Sequence, residues 1–167
     1  MIKDVSWYYE NQDTYDKIIS NIVFLFVSIY FYNKNNLLSL GFLILFFCST
    51  LFHIKSNKTT LLIDRLSMIF IFSIFFNKIY PISIFNYFLV GFISITIWYY
   101  TNELLFYILF QCLGIYLLLN SSIKNKEIIS ILFVVITLSQ LIDKGKYHSL
   151  KHILLAMLSI YFFFRTN

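Results

Sequence analysis

Charge is scarce in this chain: 13% of its 167 residues are Asp, Glu, Lys or Arg, against 59% that are hydrophobic. That ratio excludes a single soluble core, because the apolar stretches are too long and too numerous for one. Cysteine is scarce as well. Cys48 and Cys112 stand alone inside apolar runs with no CxxC or comparable neighbour, so neither a disulfide nor a cysteine-based zinc site is expected, and both read as small core residues. The one proline, Pro81, falls where the fourth apolar run begins, the helix position that tolerates a missing amide hydrogen. Residues 1–17 are polar and acidic and lack a basic n-region, so they do not read as a cleaved signal, and the first apolar run is expected to act as an uncleaved one. The net charge of +5 would suit nucleic acid, but Lys and Arg are scattered over short loops with no stripe or binding motif. No nucleic-acid partner is expected; basic loops at a membrane surface explain the charge.

About 20 apolar residues cross a bilayer, and on that ruler the chain divides into spans at 18–32, 37–53, 60–76, 82–100, 103–119, 127–142 and 147–164. The links are turn-sized and polar, such as Asn33-Lys34-Asn35-Asn36 and Asp143-Lys144-Gly145-Lys146. The expected fold is an all-α membrane protein, a seven-transmembrane helix bundle over residues 18–167 behind a polar segment at 1–17. Several spans are short, which fits tilt or a thinner membrane.

The three histidines carry the chemistry. His53 closes the second span with Ser49 four residues before it, Asp64 lies in the third, and His148 and His152 open the seventh. Residues four apart share a helix face, so Ser49 backs His53 and His148 lies beside His152. Three neutral imidazoles with one position left to water is the ligand count of a catalytic zinc, since structural sites fill all four positions with protein. In a seven-span bundle the ends of spans two and six and the starts of spans three and seven lie on the N-terminal side. His53, Asp64, Asp143, His148 and His152 therefore share one membrane face. All the carboxylates except Glu127 fall there too, and a cation is drawn to that face. The polar residues leave no path across the spans, which argues against a channel or transporter.

Plainer roles stand beside these. A histidine near a span end can rest at the headgroup boundary with its polar edge in water, and serine is common at membrane helix contacts. Asp64 is costly inside a span unless it serves a partner or a cavity. Arg65 is the nearest candidate partner, although adjacent helix residues diverge by about 100° and do not face each other.

The Ser49-x3-His53, Asp64 and His148-x3-His152 segments resemble the signature of the seven-span membrane hydrolase superfamily that includes alkaline ceramidases, progestin and adiponectin receptors and Per1-like proteins. The alkaline ceramidases match best: the step from His53 to Asp64, the run Leu66-Ser67-Met68-Ile69 and the segment His148-Ser149-Leu150-Lys151-His152-Ile153-Leu154 are similar to theirs. Ser6-Trp7-Tyr8-Tyr9-Glu10-Asn11 also looks like the segment through which that family binds calcium, with Trp7, Glu10 and Asn11 as the matching positions. Tyr9 replaces one expected carboxylate, leaving Asp13 or Asp16 as substitutes in a set that must supply six to eight oxygens. A Trp/Tyr belt at the interface explains the same residues.

The resemblance implies a zinc-dependent amidase that cleaves the N-acyl bond of ceramide to a fatty acid and a sphingoid base. His53, His148 and His152 bind the metal, Asp64 is the general acid–base, and Ser49 donates to the oxyanion or holds the water. It implies a membrane-lipid substrate, a Ca²⁺ ion beside the Zn²⁺, an endoplasmic reticulum or Golgi-type membrane and a lumenal or extracellular N-terminus. Alternatives are a lipid-responsive receptor or scaffold of the same superfamily, and a Per1-like hydrolase of another lipid. Counting all Lys and Arg gives eight on the N-terminal side and five opposite. Leaving out Arg65 and Lys151, which fall inside spans, gives six against five, and the positive-inside rule then favours neither orientation.

Overall fold

Asparagine caps the starts of two of the long helices. At Asn35 the side chain accepts from the Leu38 amide at 2.9 Å and starts the helix Asn36–Ile54. At Asn57 a reciprocal capping box with Thr60 starts Lys58–Ile79. Each satisfies amide hydrogens that the first helical turn leaves unpaired, a contribution of about 1 kcal/mol. The computed structural model describes residues 15–101, 104–121, 126–127, 130–131, 134 and 148–166. Every regular element among them is an α-helix: α1 Tyr15–Ser20, α2 Ile22–Phe31, α3 Asn36–Ile54, α4 Lys58–Ile79, α5 Ile84–Thr101, α6 Leu104–Leu119 and α7 His148–Thr166. The sixth expected span, 127–142, lies almost wholly outside the described residues.

Two of these helices, α3 with 19 residues and α4 with 22, are long and apolar enough to cross a membrane. At 1.5 Å per residue they extend about 28 and 33 Å, close to the roughly 30 Å of a hydrocarbon core. Shorter apolar helices run over Lys17–Phe31, Ile84–Ile97 and Ser149–Phe164. Short links fold consecutive helices back beside one another, so that α2 packs on α3, α3 on α4, α4 on α5 and α5 on α6, while α7 returns to α1 and α2.

The core follows from helical spacing. Phe24, Val27 and Phe31 of α2 and Leu38, Phe42 and Leu45 of α3 recur at three- and four-residue steps and meet Ile71, Ile74 and Phe75 of α4 and Leu155, Leu158 and Phe162 of α7. Close approach matters where α6 meets α4. A Cβ on Gly114 would lie 2.6 Å from Phe76 Cζ, so only glycine fits there without displacing the ring. The outer surface is apolar too, with Phe26, Ile29, Phe47, Ile82, Phe85 and Met157 all well exposed.

Three sequence expectations change, and one candidate pairing is met. The run 18–32 is not one uniform helix: it begins at Tyr15 and tightens at Asn21, where amide Asn21 bonds Ile18 O and amide Phe24 bonds Asn21 O, both three residues apart. Pro81 is not a first helical residue, because α5 starts at Ile84 and Pro81 lies in the link, where the Ile82 amide turns back to Tyr80 O at 2.8 Å. Cys112 is exposed rather than core, while Cys48 is half-buried and both are free thiols. Gly114 faces α4, and a residue two positions away on a helix lies about 200° round from it. Arg65 does reach Asp64, at 3.9 Å; the arginine is long enough to fold back across the angle between adjacent positions.

Candidate metal centre

The N-terminal ends of α4 and α7, the C-terminal end of α3 and the junction of α1 with α2 converge at one end of the molecule. There α3 buries Ser49 and His53, α4 buries Asp64 and Arg65, and α7 buries Lys151 and His152. The two imidazoles stand side by side, ring centres 5.6 Å apart and planes inclined by 57°. Each has an aromatic wall, Phe52 at 5.2 Å from His53 and Phe24 at 5.0 Å from His152.

Ser20 is hydrogen-bonded to the His152 ring. Its Oγ donates to Lys17 O at 2.8 Å and lies 2.8 Å from His152 Nδ1. A hydroxyl has one hydrogen to give, so with that hydrogen on the Lys17 carbonyl it accepts from Nδ1–H. The imidazole is then the tautomer whose Nε2 carries the lone pair. This is the arrangement usual for metal-binding histidines, in which the other ring nitrogen is held by an outer partner.

Ser49, one turn before His53, has its hydroxyl close to the Asp64 carboxylate. The carboxylate is also paired with Arg65 Nη1, which donates to Met68 Sδ at 3.1 Å. Arg65 and Lys151 both lie within electrostatic reach of His152, so the guanidinium links the aspartate side of the site to the histidine side. Behind the Asp64 turn, Cys48, Ser67, Ile44, Ile63, Leu66, Phe70 and Phe88 line an apolar recess of about 290 Å³.

Of the residues singled out from sequence, His53 and His152 are in ring contact, Ser49 and Asp64 adjoin, and all four are buried at the same end. His148 has its backbone in α7, one turn before His152; its side chain is outside the described residues, as are Trp7, Glu10 and Asn11. Among the described residues no three His, Cys, Asp or Glu side chains gather as a metal site. The donors present nevertheless suit zinc. Two imidazoles bonded to one zinc at about 2.0–2.1 Å hold their ring centres roughly 5 Å apart, a small adjustment from the 5.6 Å seen between His53 and His152.

Ser20 and Asn21 escaped the sequence reading. Their signal was two consecutive polar residues inside an otherwise apolar span, a position where polar groups are costly unless they serve a partner. No protein-family model, curated protein or solved structure matches this chain.

Proposed function

We propose that this protein is a seven-span membrane amidase resembling the alkaline ceramidases, cleaving the N-acyl amide of a ceramide-like lipid with a zinc ion held by His53, His148 and His152. The observation that carries this reading is the buried His53–His152 contact, with Ser20 Oγ against His152 Nδ1 at 2.8 Å. Zinc, when bound, supplies a Lewis acid for the amide carbonyl and brings the pKa of water toward about 7. The chain's own residues do the rest. Asp64 takes a proton from the attacking water and returns it to the nitrogen as the C–N bond breaks, giving carboxylic acid and amine. Ser49 holds the carboxylate in line or donates to the oxygen on which charge develops.

A membrane setting is supported by the two spanning-length helices, the shorter apolar ones and the apolar outer surface. The recess beside the Asp64 turn is open to an acyl chain entering from the bilayer. The possible calcium at Trp7, Glu10 and Asn11, the lumenal N-terminus and an endoplasmic reticulum or Golgi-type membrane belong to the same reading and rest on the resemblance.

The Arg65–Asp64 ion pair favours one rival, because a buried carboxylate engaged by arginine can serve structure alone. A receptor or scaffold would keep the metal for structure and turn nothing over. Metal analysis of the purified protein together with a ceramide hydrolysis assay separates the two. The amidase reading expects about one zinc per chain, the count for a three-histidine site, with activity lost on chelation and regained on adding zinc. Zinc retention without product favours the receptor, and full turnover by metal-free protein eliminates the mechanism.

A further inference from the structure

The recess behind the Asp64 turn has two unlike ends. Cys48 stands at one of them, close to both Ser67 and the Asp64 carboxylate. One turn of α3 away lies Ile44, and the ring of Phe70 sits farther still from His53: a Cβ on Gly41 would lie 3.5 Å from Phe70 Cδ1 and Cε1. There Phe70 meets Phe88 of α5 edge to face, ring centres 6.3 Å apart. An aromatic pair therefore closes the end remote from the site, while Ile44 and Ile63, both exposed on the outer surface, leave the side open.

Such a shape suits one kind of occupant. The lining is apolar apart from Cys48 and Ser67, and the Ser67 hydroxyl donates to Asp64 O at 2.6 Å. A charged or strongly hydrogen-bonding group would find little to satisfy it among these side chains. A straight hydrocarbon chain needs nothing of the kind. From Ile63 to Phe70 the groove runs two turns of α4, roughly 10 Å at 1.5 Å per residue, which is the reach of an extended octanoyl chain. A longer chain meets the Phe70–Phe88 pair and must bend out through the open side, losing the packing contacts of the part that leaves.

We propose that this recess holds the acyl chain of the lipid, carbonyl end toward Asp64, and that the Phe70–Phe88 pair sets its length, favouring medium chains over long ones. The placement of the carbonyl rests on the amidase reading; the apolar groove and its aromatic end do not depend on it.

The two native thiols make a direct test. Cys48 lines the recess and Cys112 is exposed on α6, so a bound chain should slow the reaction of Cys48 with a small thiol reagent and leave Cys112 as an internal reference. The full-length protein is held in a sterol-based detergent, which brings no straight chain of its own, and titrated with ceramides carrying an octanoyl or a stearoyl chain. The octanoyl lipid should protect Cys48 at about tenfold lower concentration, the lower range of what a hydrophobic pocket discriminates. Phe88→Ala should bring that ratio to about one by opening the end of the groove. Phe85→Ala, on the same helix but facing outward, should leave the ratio unchanged. Equal protection by both lipids in the wild-type protein overturns the proposal without any variant having to fold, as does protection by neither, or a ratio that survives in Phe88→Ala. Chain-selective protection without ceramide hydrolysis removes the amidase reading and leaves the groove standing. Zinc-dependent hydrolysis with Cys48 unprotected does the reverse.

Discussion

The two ends of the same helices hold their polar groups differently: buried and gathered at one, on exposed or half-buried lysines at the other. At one end, α3, α4 and α7 bring together Ser49, His53, Asp64, Arg65 and His152, a set whose members engage one another. At the other, the cations lie on rings: Lys34 Nζ is 3.5 Å from the centre of Tyr30, and Lys78 Nζ is 4.0 Å from that of Phe163. A cation over a ring is held by the aromatic quadrupole and asks for no carboxylate. The contrast teaches that charge alone does not mark a site in this molecule. Polar side chains of mixed chemistry converging from four elements do.

The strongest way to sharpen this comparison is to remove an imidazole. His152→Ala should abolish both zinc binding and hydrolysis, since two imidazoles and water make a poor site, whereas Lys78→Ala at the other end should leave zinc stoichiometry unchanged. Metal analysis of the two purified variants decides it, and equal zinc content would break the distinction between the ends. Asp64→Asn comes next. It keeps the shape and much of the hydrogen bonding but cannot accept a proton, so zinc should remain while turnover falls by roughly 10²–10⁴. Loss of zinc as complete as in His152→Ala would instead make Asp64 a ligand or an essential orienting partner.

Ser20→Ala should have a smaller effect, because it removes only the group that holds the tautomer of His152. Zinc affinity is expected to fall by about 10–100-fold, read by competition with a chromophoric chelator, and excess zinc should restore turnover. Unchanged affinity would show that the 2.8 Å Ser20–His152 contact does not orient the ring. The smallest effect belongs to the ring-bound end. Lys34→Met should lower stability by about 0.5–1 kcal/mol, measured by thermal unfolding in detergent, and leave metal content untouched.

The sequence showed most about the elements whose signals are periodic. The apolar runs located α3, α4 and α7 to within a few residues at most termini, and the four-residue step from Ser49 to His53 correctly placed both on one buried face. Side-chain reach and small departures from helix geometry were harder to read. Arg65 was the candidate partner of Asp64 in spite of the angle between adjacent positions, and the pair forms because a long flexible arginine is not bound by the direction of its Cβ. The tightening at Asn21 shows in hydropathy only as the polar pair Ser20-Asn21, because it changes which carbonyl each amide meets while the run stays apolar on either side. Pro81 marked a boundary correctly in kind yet was misplaced, since the chain needed the further residues Ile82 and Ser83 before α5 could begin.

The link between α3 and α4 has a consequence for when the site comes into being. Thr60 Oγ1 takes part in the Asn57 capping box and also donates to Lys55 O at 2.7 Å, fastening the end of one helix to the start of the next. His53 and Asp64 are thus set by a local hairpin that the ribosome delivers early and whose contacts close quickly. His152 arrives only with α7, well after the α3–α4 hairpin has been made. A partly synthesised chain that stops before α7 carries Ser49, His53 and Asp64 without His152, so the two imidazoles meet only once α7 has been made and packed.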